Sequence, residues 1–155
     1  MTIAVTAPPR SRRLLALDVG DRRIGIAVSD ELGVTAQGVA TLQRRSWAVD
    51  LAEIARLVNR WEAEAIVVGL PLTLEGTVGP RARTIHAFIK RLESSVDVPI
   101  LTWDERFSTV TAERVLIDAD LSRAKRREVI DKTAAVVILQ HFLDARGRRE
   151  PDGTA

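Results

Sequence analysis

The stretch LLALDVGDRRIGIAVSD, residues 14–30, decides the fold class. Residues 14–19 are an apolar run with one aspartate inside it, and RIGIAVS (23–29) follows after Gly20-Asp21-Arg22. Two short apolar runs separated by a Gly-Asp break read as a β-hairpin. Leu14, Leu15, Leu17 and Val19 leave the first strand no polar face, so it reads as buried on both sides. Asp18 is then a carboxylate in the interior, where a cation, a metal or several hydrogen bonds must offset its desolvation. Taken alone, it is better read as an acid that caps N–H groups of the Gly20-Asp21 turn.

Outward from the hairpin, VTAQGVATL (34–42) reads as a third strand of weaker β character, closing an antiparallel meander. From Ser46 the period changes. Trp47, Leu51, Ile54, Val58 and Trp61 recur at helical steps, with Ser46 as N-cap and both tryptophans facing the core. AIVVG (65–69) is a buried strand, and residues 80–92 form a helix with proline in its first turn and Ile85, Phe88, Ile89 and Leu92 inward. VPILTW (98–103) is another buried strand. A helix capped at Ser108 or Thr109 runs to about Ile117, and a last one covers about 126–145. Three meander strands followed by strands alternating with helices give an α/β domain. Its five-stranded sheet is mixed, three antiparallel N-terminal strands then two parallel ones, and is flanked by helices. The expected organisation is a flexible arm over 1–13, one domain over 14–145 and a mobile basic tail over 146–155.

Composition excludes several classes. With 155 residues, 46% hydrophobic and 28% charged, the chain suits one globular domain, which at this length buries roughly 70% of its unfolded surface. It has no cysteine, which rules out disulfide frameworks, thiolate metal sites and cysteine nucleophiles. No apolar run approaches the ~20 residues of a membrane span. The opening residues have their basic part after their apolar part, the reverse of a signal peptide, so a cytoplasmic protein is expected. Net charge is only +2, yet basic residues cluster at Arg10–Arg13, Arg123–Arg127 and Arg146–Arg149. Clusters of this kind attract phosphate, the internal one being the best placed.

Two further acids occupy unusual positions. Asp131 shares a helical face with Ala134, Ala135, Ile138 and Phe142, so it sits on a core stripe. Glu105 directly follows the strand VPILTW, at the sheet edge where ligands of open α/β folds collect. Asp104 has at most a supporting role there. A strand Asp, a strand-end Glu and a helix Asp are hard oxygen ligands suited to Mg²⁺ or Mn²⁺. Two such ions roughly 4 Å apart support phosphodiester hydrolysis. His86 and His141 stand alone on helices and read as packing or surface groups.

Four segments carry a specific resemblance. LDVGDRRIGIAVSD (17–30), VVGLPLTLEGTVGPRA (67–82), WDERFSTVTAE (103–113) and VIDKTAAVVILQHFLD (129–144) resemble the signature blocks of the YqgF or RuvX-like family of pre-16S rRNA nucleases, in order and spacing, over about residues 14–144. Thr73 and the basic approach to the last block depart from the family pattern. The resemblance implies an RNase H-like fold, with Asp18, Glu105 and Asp131 as the catalytic and metal-binding acids. It also implies a bacterial cytoplasmic nuclease that matures the 5′ end of 16S rRNA precursor on ribosomal particles, with Holliday-junction resolution as the alternative.

Cations around these acids are candidate nucleic-acid contacts: Arg22 and Arg23 at the hairpin turn, Arg81 and Arg83 at a helix start, Arg106 beside Glu105, and Lys125, Arg126 and Arg127 ahead of Asp131. Two competing readings remain. Asp18-x-Gly20 before a hairpin also suits the first phosphate element of sugar kinases and actin-like ATPases, but those need two such domains. A binding factor that lost catalysis is disfavoured by the presence of all three acids.

Overall fold

A computed structural model describes residues 13–71, 75–105 and 123–149, with side chains of the last segment described from 133 to 147. The strands are β1 (Leu14–Val19), β2 (Arg23–Ser29), β3 (Ala36–Gln43), β4 (Ala65–Leu70) and β5 (Ile100–Asp104), and the helices are α1 (Trp47–Arg60), α2 (Pro80–Glu93) and α3 (Arg123–Arg149). They form one mixed sheet in the order β3-β2-β1-β4-β5. The β1–β2 and β2–β3 pairs are antiparallel, while β4 pairs parallel with both β1 and β5. This is the architecture expected from the sequence. The expected helix over 108–117 lies outside the described residues.

Side-chain alternation assigns each strand residue to one of two cores. Leu15, Leu17, Ile66 and Val68 belong to the core with Leu51, Ile54 and Val58 of α1 and Ile85, Phe88 and Leu92 of α2. Leu14, Ala16, Ala65 and Val67 belong to the opposite core, with Ala134, Ala135, Ile138 and Leu139 of α3. β1 lies at the centre and is buried on both faces, which explains why its sequence carries no polar alternation.

Several boundaries differ from the periodicity reading, each for a local reason. β3 starts at Ala36 instead of 34, because Val34 and Thr35 both donate backbone N–H to Asp30 Oδ1, at 2.7 and 3.0 Å, in a turn where Gly33 has φ 70°. β5 starts at Ile100 instead of 98: Pro99 has no N–H to give to the ladder, although its carbonyl accepts from Ile66 at 2.9 Å. β5 is also less buried than expected. It is an edge strand, and Leu101 is 39% exposed.

α3 runs from Arg123 to Arg149 instead of 126–145. Apolar periodicity marks only its packed middle, whereas the polar turns at both ends are helical without it. Near its end Arg146 lies 3.9 Å from Glu64. Arg13, the last residue of the expected arm, accepts from Glu64 N–H through its carbonyl at 2.9 Å and reaches Glu31 at 3.3 Å.

Trp47 is a correction to the core reading. It opens α1 after the Ser46 cap, whose hydroxyl accepts from Val49 N–H at 3.2 Å, and is 36% exposed. The guanidiniums of Arg44 and Arg91 lie over its ring, 5.4 and 4.5 Å from the ring centroid, and the ring stands 5.8 Å from that of the buried Phe88. Trp61 is half-buried against the first core.

Candidate functional site

The site is built at the carboxyl ends of β1, β4 and β5. Asp18 is 7% exposed. Because Leu14 and Ala16 face α3, alternation places Asp18 on that same face. Its partner across the β1–β2 ladder is Gly25. On the other side, the β1–β4 register ends at Leu17 opposite Val68, so the next residue on each strand is Asp18 and Gly69. Both cross-strand neighbours of the buried acid are glycines, and no Cβ crowds the carboxylate from either strand.

Gly69 also locates Glu105. A Cβ at Gly69 would lie 2.8 Å from Glu105 Oε1 and 2.6 Å from Ile138 Cδ1. The Glu105 carboxylate therefore occupies the space left by the missing side chain and meets α3 there. Glu105 shares the alternation of Leu101 and Trp103 and so faces α3. Asp104 falls on the opposite face. Asp131 lies on α3 two turns before Ile138, on the stripe of buried Ala134 and Ala135. Its side chain is outside the described residues. The fold thus brings Asp18 and Glu105 to one face at one end of the sheet, under the helix that carries Asp131. Among the described residues no three acidic or histidine side chains cluster.

The candidate cations separate into groups. Arg23 is half-buried and shares the face of Gly25, the side of the acids. Arg22 is exposed, and its carbonyl accepts from Arg44 N–H at 2.8 Å. Arg81 lines a cavity of about 350 Å³ with Gly20, Asp21, Arg44 and Thr84, beside the turn that follows Asp18. Arg83 is exposed on α2 and does not line it. Arg106 lies outside the described residues, as do the side chains of Lys125, Arg126 and Arg127 in the first turns of α3. His86 is exposed on α2, and His141 lies on α3 away from any acidic cluster among the described residues.

The periodicity reading missed a buried clamp beneath this turn. Asp50 is buried in α1, accepts from Arg45 N–H at 3.0 Å and lies 3.8 Å from Arg44 Nε. Arg44 also donates to the Gly20 carbonyl at 2.9 Å. Gly20 N–H in turn donates to the Arg23 carbonyl at 2.9 Å, so close that a Cβ on Gly20 would lie 2.9 Å from that oxygen. The turn after Asp18 is therefore tied to the start of α1. The available signal was Arg44-Arg45-Ser46 followed by an acid in the first helical turn.

The family model described as "RuvX: Holliday junction resolvase" matches residues 12–145 of this sequence. The chain belongs to the RuvX family. A Heliobacterium modesticaldum protein named "Putative pre-16S rRNA nuclease" is 52% identical over 134 residues, covering 86% of this chain and 90% of its own length. One of the same name from Symbiobacterium thermophilum is 51% identical over 140 residues, covering 90% and 97%. Among solved structures, T. thermophilus RuvC in complex with a Holliday junction substrate has a TM-score of 0.58 at 15% identity, over 87% of this chain and 95% of that one. That likeness establishes the RNase H-like fold expected of the family. With relatives named as nucleases at this identity, this RuvX-family chain is a hydrolase of phosphodiester bonds.

Proposed function

We propose that the chain is a divalent-metal-dependent nuclease that matures the 5′ end of 16S rRNA precursor, with Asp18, Glu105 and Asp131 as its catalytic and metal-binding acids. The observation that carries this reading is the meeting of Glu105 with α3 in the space left by Gly69, one strand from the buried Asp18. The residues fit a metal. Three carboxylates without cysteine are a hard-oxygen donor set suited to Mg²⁺ or Mn²⁺, and the glycine on the β4 side of Asp18 leaves the space into which the Glu105 carboxylate reaches. Such ions would supply an activated water and a counter-charge to the leaving oxygen.

The protein's own residues do the remaining work. Asp18, locked in the central strand, fixes one acid with little freedom, and Gly69 sets the seat of the second. Arg23, on the acid side, is suited to hold a phosphate next to the cleaved bond, and Arg22 and Arg81 to hold flanking ones. Arg83, Arg106, Lys125, Arg126 and Arg127 extend this set, giving contacts that are mainly to the backbone.

The RNA substrate is favoured by the shared name of the curated relatives, and association with ribosomal particles in the cytoplasm follows from it. Among the described residues no helix is long and apolar enough to cross a membrane. Holliday-junction cleavage is the second reading, favoured by the description of the matching family model. Precursor 16S RNA and a four-way DNA junction, each incubated with wild type and Asp18→Asn in Mg²⁺ or Mn²⁺, separate the two. Cleavage of the RNA near its 5′ maturation point, lost in the variant, supports the first reading. Cleavage of the junction alone replaces it with the second, and cleavage of neither by wild type removes both.

A further inference from the structure

We infer that the exposed face of α2 is a track for the phosphate backbone of the substrate strand beyond the cleavage site. The inference rests on the nuclease reading and adds a surface to it. α2 carries four cations, Arg81, Arg83, Lys90 and Arg91, against one acid, Glu93 at its last position. The equally long α1 carries Asp50 and Glu53 against Arg56 and Arg60, and Arg56 pairs with Glu53 on its own helix. In a chain of net charge +2, the excess on α2 is therefore a local feature. Among the described residues, no carboxylate lies within ion-pair distance of Arg81, Arg83 or Lys90. Local charge of one sign along a surface recruits a polyanion of the other sign.

Continuity with the site argues for the substrate strand as the occupant. The N-terminal end of α2 lines the cavity of about 350 Å³ shared with Gly20 and Asp21, two and three residues beyond the buried Asp18. It lies on the face of the sheet opposite the acids, so the strand would reach α2 across the sheet's carboxyl edge. From Arg81 the helix carries its cations to Arg91, about 15 Å away at the rise of a helix. Between them, the exposed Thr84 and Ala87 are too small to interrupt a chain lying along the surface. The far end is ordered in advance. Arg91 stacks over Trp47 at 4.5 Å, and this contact holds a guanidinium that would otherwise lose rotamer freedom on meeting a phosphate. It also gives the partly exposed Trp47 a role beside its contact with Phe88.

The test uses the full-length protein in EDTA, with binding of a fluorescent single-stranded oligoribonucleotide read by anisotropy over a salt series. In Lys90→Gln/Arg91→Gln, two lost phosphate contacts are expected to lower the slope of log K against log salt by about 1.4. Arg83→Gln/Lys90→Gln is expected to give the same drop while keeping the Arg91–Trp47 contact, should its loss loosen α2. Arg56→Gln/Arg60→Gln removes the same charge from α1 and is expected to leave the slope unchanged. An unchanged slope in both α2 variants overturns the inference, as does an equal drop in the α1 control, which would mean net charge alone. An α2 face kept for an acidic protein partner would give the first of these results. Because no metal or cleavage enters the measurement, failure of the nuclease reading shows separately, as absence of metal-dependent cutting by wild type.

Discussion

Gly69 is the residue on which the site's geometry turns. A methyl group there overlaps Ile138 Cδ1 and Glu105 Oε1, at 2.6 and 2.8 Å. Gly69→Ala is expected to cost about 1–3 kcal/mol of stability through overpacking. It is also expected to lower cleavage on the order of 100-fold, because the displaced carboxylate leaves its working position. Gly69→Ala/Ile138→Val removes the apolar half of the overlap and leaves the Glu105 half. Thermal melts are expected to show most of the stability recovered, while cleavage rates stay low. Equal recovery of both would assign Gly69 to helix packing alone. Asp30 provides a second residue-scale test. N–H donation from Thr35, then from Val34, holds its carboxyl below the ordinary 3.8. A carboxylate with a lowered folded-state pKa stabilises fully above its unfolded value, and that contribution is lost as pH falls through the folded value. The stability gap between wild type and Asp30→Ala, measured by denaturant melts, is therefore expected to be constant above about pH 5 and to shrink below about pH 4. A gap that grows on acidification would contradict the assignment.

At the scale of elements, α3 must be held over the sheet for Asp131 to join the other acids, and Gln140 is the visible fastening. Its Oε1 accepts from Ala36 N–H at 3.0 Å, and its Nε2 donates to the Val34 carbonyl and to Asp144 Oδ1, both at 3.0 Å. One side chain thus stands in for a strand at the start of β3. Gln140→Ala strands a half-buried N–H and is expected to cost about 1–3 kcal/mol, read as a lower denaturant midpoint with an unchanged slope. Little of this fastening was legible in the sequence. Apolar periodicity revealed β1, β2, β4, α1, α2 and the middle of α3, because burial writes itself into spacing. Gln140, Asp50 and Arg44 act through a few polar contacts of single side chains, and such contacts leave no period. Trp47 misled for a related reason: its spacing matched the core stripe, but as the first helical residue it touches the core through Phe88 and otherwise carries two arginines on its ring.

For the whole molecule, the sheet gathers the chemistry at one end. β1, β4 and β5 are parallel, so their carboxyl ends coincide, and there stand Asp18 and Gly69, each next to last in its strand, and Glu105, just past β5. Asp18 and Glu105 were legible as acids where acids are costly, and the structure shows why they share a face. The space that Gly69 leaves for Glu105 was not legible, since a glycine in a strand reads the same whether it makes room or merely lacks a side chain. The central claim is that Asp18, Glu105 and Asp131 form one metal site. Calorimetric titration of Mn²⁺ into wild type, Asp18→Asn, Glu105→Gln and Asp131→Asn, each confirmed folded by circular dichroism, tests it most directly. The account predicts saturable binding by wild type that is weakened at least about tenfold in every variant, a loss of roughly 1.4 kcal/mol. Binding by all three folded variants as tight as that of wild type would contradict it.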